Sequence, residues 1–153
     1  MRAPRFRLAL VTSTVLALAP ISARGSTPEI GSGCPADRRI TDHQTGSAPT
    51  LCVIADHAHR EGAFLVIDAL VKNISGQPVT RAEVGVAAYT YSGDPLGAED
   101  TILRPDRLEP GQEGTVLVVT PWQDGIERLR YLITWRQAGR PHQGAVEHGI
   151  ALG

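Results

Sequence analysis

Lysine is nearly missing from this chain, methionine occurs only as the first residue, and cysteine occurs twice, as Cys34 and Cys52. The shortage of methionine removes the thioether ligands that copper(I) sites favour. Neither sign of charge dominates, since 15 basic residues face 16 acidic ones and the two kinds are interspersed without long runs. A nucleic-acid or anionic-membrane partner is therefore not expected, because both need a concentrated basic patch. Catalytic signatures are scarce as well. There is no G-x-S-x-G elbow to carry a nucleophilic serine. The acidic residues Glu99, Asp100, Asp106 and Glu109 have neither the alternating oxygen register of a calcium loop nor a nucleophile beside them, and read as solvated loop charge. The expectation is a protein that is not an enzyme and carries no cofactor.

What the N-terminus does have is a charged start and an apolar core. Arg2, Arg5 and Arg7 precede an apolar stretch over residues 8–21, closed by Pro20 and followed by the small residues Ala23 and Gly25. This is the pattern of a secretory signal peptide over residues 1–25, with the mature chain starting near Ser26. The apolar run is interrupted by Thr12, Ser13 and Thr14 and falls short of the roughly 20 residues a membrane helix needs, so no membrane span is expected in the mature chain. The expected location is periplasmic or secreted. Arginine supplies all the basic residues but Lys72, and with abundant alanine, glycine and proline the composition points to a GC-rich bacterial genome.

An oxidising compartment pairs thiols, so Cys34 and Cys52 are expected to form a disulfide, with two free buried thiols as the alternative. Residues 26–49 are rich in Gly, Ser, Thr, Pro and Asp and lack apolar periodicity, which reads as a loop-rich arm tied down by that bond. Residues 50–153 read as one domain.

Within that domain the apolar residues recur every second position, the signature of strands with one buried face. Strands are expected over 50–59, 63–73, 80–91, 115–122 and 126–136, with weaker ones over 96–103 and 144–152. In the second, Leu65, Ile67, Ala69 and Val71 share a face opposite Asp68 and Lys72. In the third, Ala82, Val84, Val86 and Ala88 oppose Arg81, Glu83, Tyr89 and Tyr91. Between strands, Asn73, Ser75, Gly76 and Pro78 supply turn chemistry, and Pro110-Gly111 suits a type II turn. The last long run is a strand rather than a helix because Leu129, Tyr131, Ile133 and Trp135 step by two. About seven short strands at this spacing imply an all-β, antiparallel β-sandwich.

The order of these pieces resembles the FxLYD family of small bacterial extracytoplasmic immunoglobulin-like domains. Val71, Asn73, Ser75, Gly76, Pro78 and Val79 match its first block, Val84, Val86, Tyr89 and Gly93 its middle, and Leu108, Pro110 and Gly111 its last. Of the pentad that names the family, residues 86–90 keep only Tyr89. The resemblance implies an immunoglobulin-like fold in the cell envelope. It implies no catalytic residues.

Two sets of side chains are candidates for recognition. Tyr89 and Tyr91 share the polar face of their strand, and aromatic residues dominate binding hot spots, so at least one is expected to be exposed and to meet a partner. Trp135 is expected in the core. His57 and His59 lie two apart in a strand and project from one face, the spacing that can hold a divalent metal, with His43, His142 and His148 as distant candidates for a third ligand. The leading expectation is a non-enzymatic binding or structural module whose partner is another envelope or extracellular protein. The alternative is a periplasmic divalent-metal-binding protein using His57 and His59.

Overall fold

The computed structural model describes residues 33–46 and 48–150. The expected signal peptide over 1–25 and the first part of the arm lie outside the described residues.

Alternating burial organises most of the described strands. In the sequence order of the strands, β1 spans Arg39–Ile40, β2 Leu51–Glu61, β3 Phe64–Asn73, β4 Val79–Tyr89, β5 Pro95–Ile102, β6 Arg107–Leu108, β7 Glu113–Pro121, β8 Arg128–Gln137 and β9 Arg140–Gly149. A single 3-10 turn, Ala36–Arg38, precedes β1. One sheet has the order β1-β2-β3-β7, the other β5-β4-β8-β9 with β6 paired to β4, and all the pairings are antiparallel. The chain crosses from β6, still paired to β4 in one sheet, to β7 beside β3 in the other. With β2, β3 and β7 facing β4, β8 and β9, this is the Greek-key order of an immunoglobulin-like sandwich. The expected all-β sandwich of about seven strands is what the structure has, with β1 and β6 added as two-residue strands.

The core is filled by the inward residues of both sheets. From β3 come Leu65, Ile67, Ala69 and Val71, from β7 Val116 and Val118, and from β8 Leu129, Tyr131, Ile133 and Trp135, all buried. Strand β7 shows strict alternation of exposed and buried positions, as a one-sided antiparallel strand should. Burying each large side chain contributes about 2 kcal/mol by removing apolar area from water.

Two turns meet on one buried polar residue. Asn73 is fully buried, and its side-chain Nδ2 donates to the carbonyls of Gln77 (2.8 Å) and Leu108 (3.0 Å). Its Oδ1 accepts from the Ser75 backbone N–H (3.0 Å) and hydroxyl (2.7 Å). Its own backbone N–H donates to Gln112 and its carbonyl accepts from Gly111. Every polar group of Asn73 is thereby satisfied, which is the condition for burying it without loss. The expected turn at Pro110-Gly111 is present, with Gly111 at φ 80 and a Gln112 N–H to Glu109 carbonyl bond, the left-handed geometry a type II turn needs at that position.

Three boundaries differ from the sequence reading. Strand β4 stops at Tyr89, because Thr90, Ser92 and Asp94 close a turn in which the Thr90 Oγ1 accepts from the Asp94 backbone N–H; Tyr91 therefore belongs to the turn. The last strand starts at Arg140 rather than near Gly144. Its hairpin turn is Ala138-Gly139, both at positive φ, matching the two-residue turn whose twist suits an antiparallel pair. Finally, the described part of the arm is built into the sandwich: Ile40 is fully buried in the core and Arg39 and Ile40 pair with Cys52 and Leu51.

One irregularity positions everything that follows. Between Val53 and Ala55 the register of β2 against β3 shifts, so Ile54 is an extra residue. Because side chains alternate with period two, such a bulge reverses which residues point inward beyond it. Leu51 and Val53 are fully buried before it, Ala58 is buried after it, and His57 is exposed.

Candidate functional site

The strand β2 carries Asp56 to the interior and His57 to the exterior, and each is the centre of a different arrangement. Inside, the Asp56 carboxylate accepts three hydrogen bonds. Arg38 Nη1 donates to Oδ1 at 2.8 Å, and Tyr131 Oη (2.9 Å) and His148 Nε2 (2.6 Å) donate to Oδ2. The Tyr131 and His148 rings are stacked, 5.6 Å apart. Burial pushes the Asp56 carboxyl up, but the hydrogen bonds from His148, Arg38 and Tyr131 outweigh it and hold the group well below the usual carboxylate range. Burial and the charge of Asp56 push the Tyr131 phenol well above its ordinary value, so it remains an O–H donor.

A second unit of the same kind lies along the same flank. His142 Nδ1 donates to Asp42 Oδ2 at 3.0 Å, and His142 stacks on Trp135 with ring centres 5.8 Å apart. The bonds from His142, from the Thr45 hydroxyl and from the Gln44 backbone hold Asp42 well below the usual range. Both units join the arm or β2 to β9. The His43 N–H donates to the Gln143 carbonyl at 2.9 Å. A Cβ on Gly144 would lie 2.5 Å from both Ile40 Cγ2 and the Thr41 carbonyl oxygen, so glycine is what lets the arm lie against β9. Cys34 and Cys52 form the expected disulfide, anchoring the arm at its other end.

Outside, the register of β2, β3 and β7 lays side chains out in rows. His57, Asp68 and Leu117 form one row, His59, Val66 and Val119 the next, and Glu61, Phe64 and Pro121 the third. Phe64 (49 %), Leu117 (57 %) and Val119 (49 %) are large apolar side chains left open to solvent. They border an open depression of about 670 Å³ with His59, Glu61 and Asp68 on its polar side. The ligand atoms of His57, His59 and Asp68 lie within 4.8 Å of one another.

The sequence reading named His57 and His59 but looked to the other histidines for a third ligand. The structure places His148 on Asp56 and His142 on Asp42, and brings Asp68 to the pair instead. Asp68 was legible as an outward residue of its strand. Its partnership with His57 was not, because it depends on the pairing register. Tyr91 is 81 % exposed in the β4–β5 turn, and Tyr89 is half-buried on the outer face of the second sheet, beside Gly85, Ala98 and Leu132. Trp135 is in the core. Phe64, Leu117 and Val119 were not singled out, since outward apolar residues on two non-adjacent strands become one patch only when β7 is placed beside β3.

The Tyr91 turn and the patch lie at one end of the sandwich. The Trp122 backbone N–H donates to the Ala63 carbonyl, Arg60 lies over the Trp122 ring at 5.1 Å, and the Gln123 side chain donates to the Leu96 carbonyl, which links the β2–β3 and β7–β8 connections and the start of β5.

No family model matches the chain, and no curated protein matches it. Chains of solved structures do, 26 of them. One is the C-terminal domain of Wzt, with a TM-score of 0.47 and 9 % identity over 78 % of this chain and 81 % of that one. A likeness that loose says nothing about function. No helix among the described residues is long and apolar enough to cross a membrane.

Proposed function

We propose that the chain is a non-enzymatic binding or structural module of the bacterial cell envelope, secreted or periplasmic, and that it meets a protein partner through the outer face of β2, β3 and β7. The observation that carries this reading is the exposed trio Phe64, Leu117 and Val119 on the outer sheet face, beside the polar groups of Glu61 and Asp68. Exposed apolar side chains gathered into a patch with a polar rim mark contact surfaces. A protein is favoured over a small ligand because the depression is open and lies on a sheet face, whereas small-molecule sites enclose most of their ligand. Tyr91, at the same end, supplies a second aromatic contact of the kind that anchors interfaces. The signal-peptide pattern and the FxLYD-like order of strands and turns support the envelope setting. The disulfide supports it as well, since such bonds persist in oxidising compartments.

The test is capture from the envelope fraction of the host. A photo-crosslinking residue at Leu117 is expected to trap one discrete protein, and Phe64→Ser/Leu117→Ser is expected to release it with the fold intact. A crosslinker at Glu99, on the edge strand β5 of the other sheet, is the control and is expected to trap nothing specific. Equal trapping at both positions contradicts the reading.

A further inference from the structure

We propose that His57, His59 and Asp68 form a binding site for a single divalent transition metal, zinc(II) before others, on the outer face of the sheet. This goes beyond the partner reading and does not depend on it. A chain that binds zinc but no protein would overturn only that reading, and a chain that binds a protein but no zinc only this one.

The case begins with position. His57 and His59 point outward because the bulge at Ile54 reverses the alternation of β2, and Asp68 is paired across the ladder with His57. Three donors thus stand on two hydrogen-bonded strands, which hold their Cα positions rigidly. Their ligand atoms lie within 4.8 Å of one another. A tetrahedral zinc shell with bonds of roughly 2.0 to 2.1 Å sets its ligands about 3.3 Å apart, a difference that rotation of the exposed His57 and Asp68 side chains can close.

The chemistry of the donors comes next. Two imidazoles and one carboxylate suit zinc(II), and the shortage of methionine speaks against copper(I). No lysine or arginine lines either depression that borders the three residues, so no cation competes for Asp68 there.

A second observation points to a missing ligand. The rings of His57 and His59 are stacked with centres 5.0 Å apart, and His59 Nδ1 is buried without a hydrogen-bond partner among the described residues. His142 and His148 each bond a carboxylate through one ring nitrogen, although His148 Nδ1, like His59 Nδ1, is buried without a partner among the described residues. His57 and His59 have no such partner. A cation set against the stacked rings gives them one. Three protein ligands leave at least one coordination position facing solvent, open to water or to a donor from outside.

Calorimetric titration of the purified, disulfide-bonded protein with zinc chloride alone tests this. Expected is saturable binding of one zinc per chain, abolished in His57→Ala/His59→Ala, weakened by about 10-fold or more in Asp68→Asn, and unchanged in the exposed control His43→Ala. A measurement on the wild type needs no variant to fold: of the 5 histidines, the ring NMR signals of His57 and His59 should be the ones that shift on adding zinc. Absence of saturable binding overturns the proposal. So does binding that survives the double substitution, or a response confined to other histidines.

Discussion

Asp56 and His57 are neighbours in one strand, yet they belong to regions with opposite physics. On the inner flank, each aspartate has its histidine and each histidine its aromatic ring: Asp56 with His148 and Tyr131, Asp42 with His142 and Trp135. The arm, the disulfide and Gly144 cover that flank. On the outer face the same residue types, His57, His59 and Asp68, stand together without such partners and beside exposed apolar side chains. The contrast teaches that residue type does not decide role. A carboxylate–imidazole pair that is covered and bonded to each other holds strands together, whereas imidazoles and a carboxylate left open and without such a bond are available to something from outside.

If the inner flank is structural, removing its centre should unfold rather than disable the protein. Asp56→Ala would leave Arg38, Tyr131 and His148 without their acceptor, at a cost of about 3 to 5 kcal/mol. Denaturant unfolding measures this, and a loss below about 1 kcal/mol would erase the distinction between the regions. The same treatment of His57, His59 or Asp68 should move stability by no more than about 0.5 kcal/mol.

The arm offers a second way to break the comparison. Cys34→Ser/Cys52→Ser releases a loop closed over a sequence separation of 18 and should cost about 3 kcal/mol in the chain-entropy account. Gly144→Ala, by forcing a Cβ into Ile40 and Thr41, should cost about 1 to 3 kcal/mol. Hydrogen exchange at the His43 amide, which bonds to Gln143, should accelerate in both, with the amides of β3 little changed.

Acid sharpens the contrast more gently. The carboxyls of Asp42 and Asp56 are both held below their ordinary value in the folded protein. Their contribution is therefore full above the unfolded aspartate value of about 3.9 and is lost as pH falls below it through the lowered folded values. Stability should decline below about pH 4, and Asp42→Asn should flatten that decline. An unchanged acid profile in the variant would detach Asp42 from the flank's stability.

Much of the fold was readable because burial on one face writes itself into the sequence. Leu129 to Trp135 alternate strictly in burial, Leu65, Ile67, Ala69 and Val71 step by two into the core, and Pro110-Gly111 announces its turn. Of the residues that carry the FxLYD resemblance, Val71, Val79, Val84, Val86 and Leu108 are buried strand positions, Asn73 is a buried turn hub, Ser75, Gly76, Pro78, Gly93, Pro110 and Gly111 lie in turns, and Tyr89 is half-buried at the end of β4. They speak to architecture and not to what is bound.

The candidate site was half readable. The spacing of His57 and His59 showed that they share a face, but not which face. Read as an unbroken strand from Leu51, both histidines would join Leu51 and Val53 in the core. Only the bulge at Ile54 turns them out and Asp56 in, and no glycine or proline marks it. Asp68, Leu117 and Phe64 come to the site through register and sheet order, which are properties of pairing between distant segments. The arm read as loop because its contacts, Ile40 in the core and Asp42 to His142, are each made by one residue without periodicity.

The central claim is that the outer face of β2, β3 and β7 is where the protein is used. Native mass spectrometry of the protein purified gently from the host envelope, beside its Phe64→Ser/Leu117→Ser variant, tests it most directly. The account predicts a stoichiometric protein partner on the wild type and a correctly folded, partner-free variant with its disulfide intact. A partner retained by the variant, or a wild type that is bare in every preparation, would contradict it.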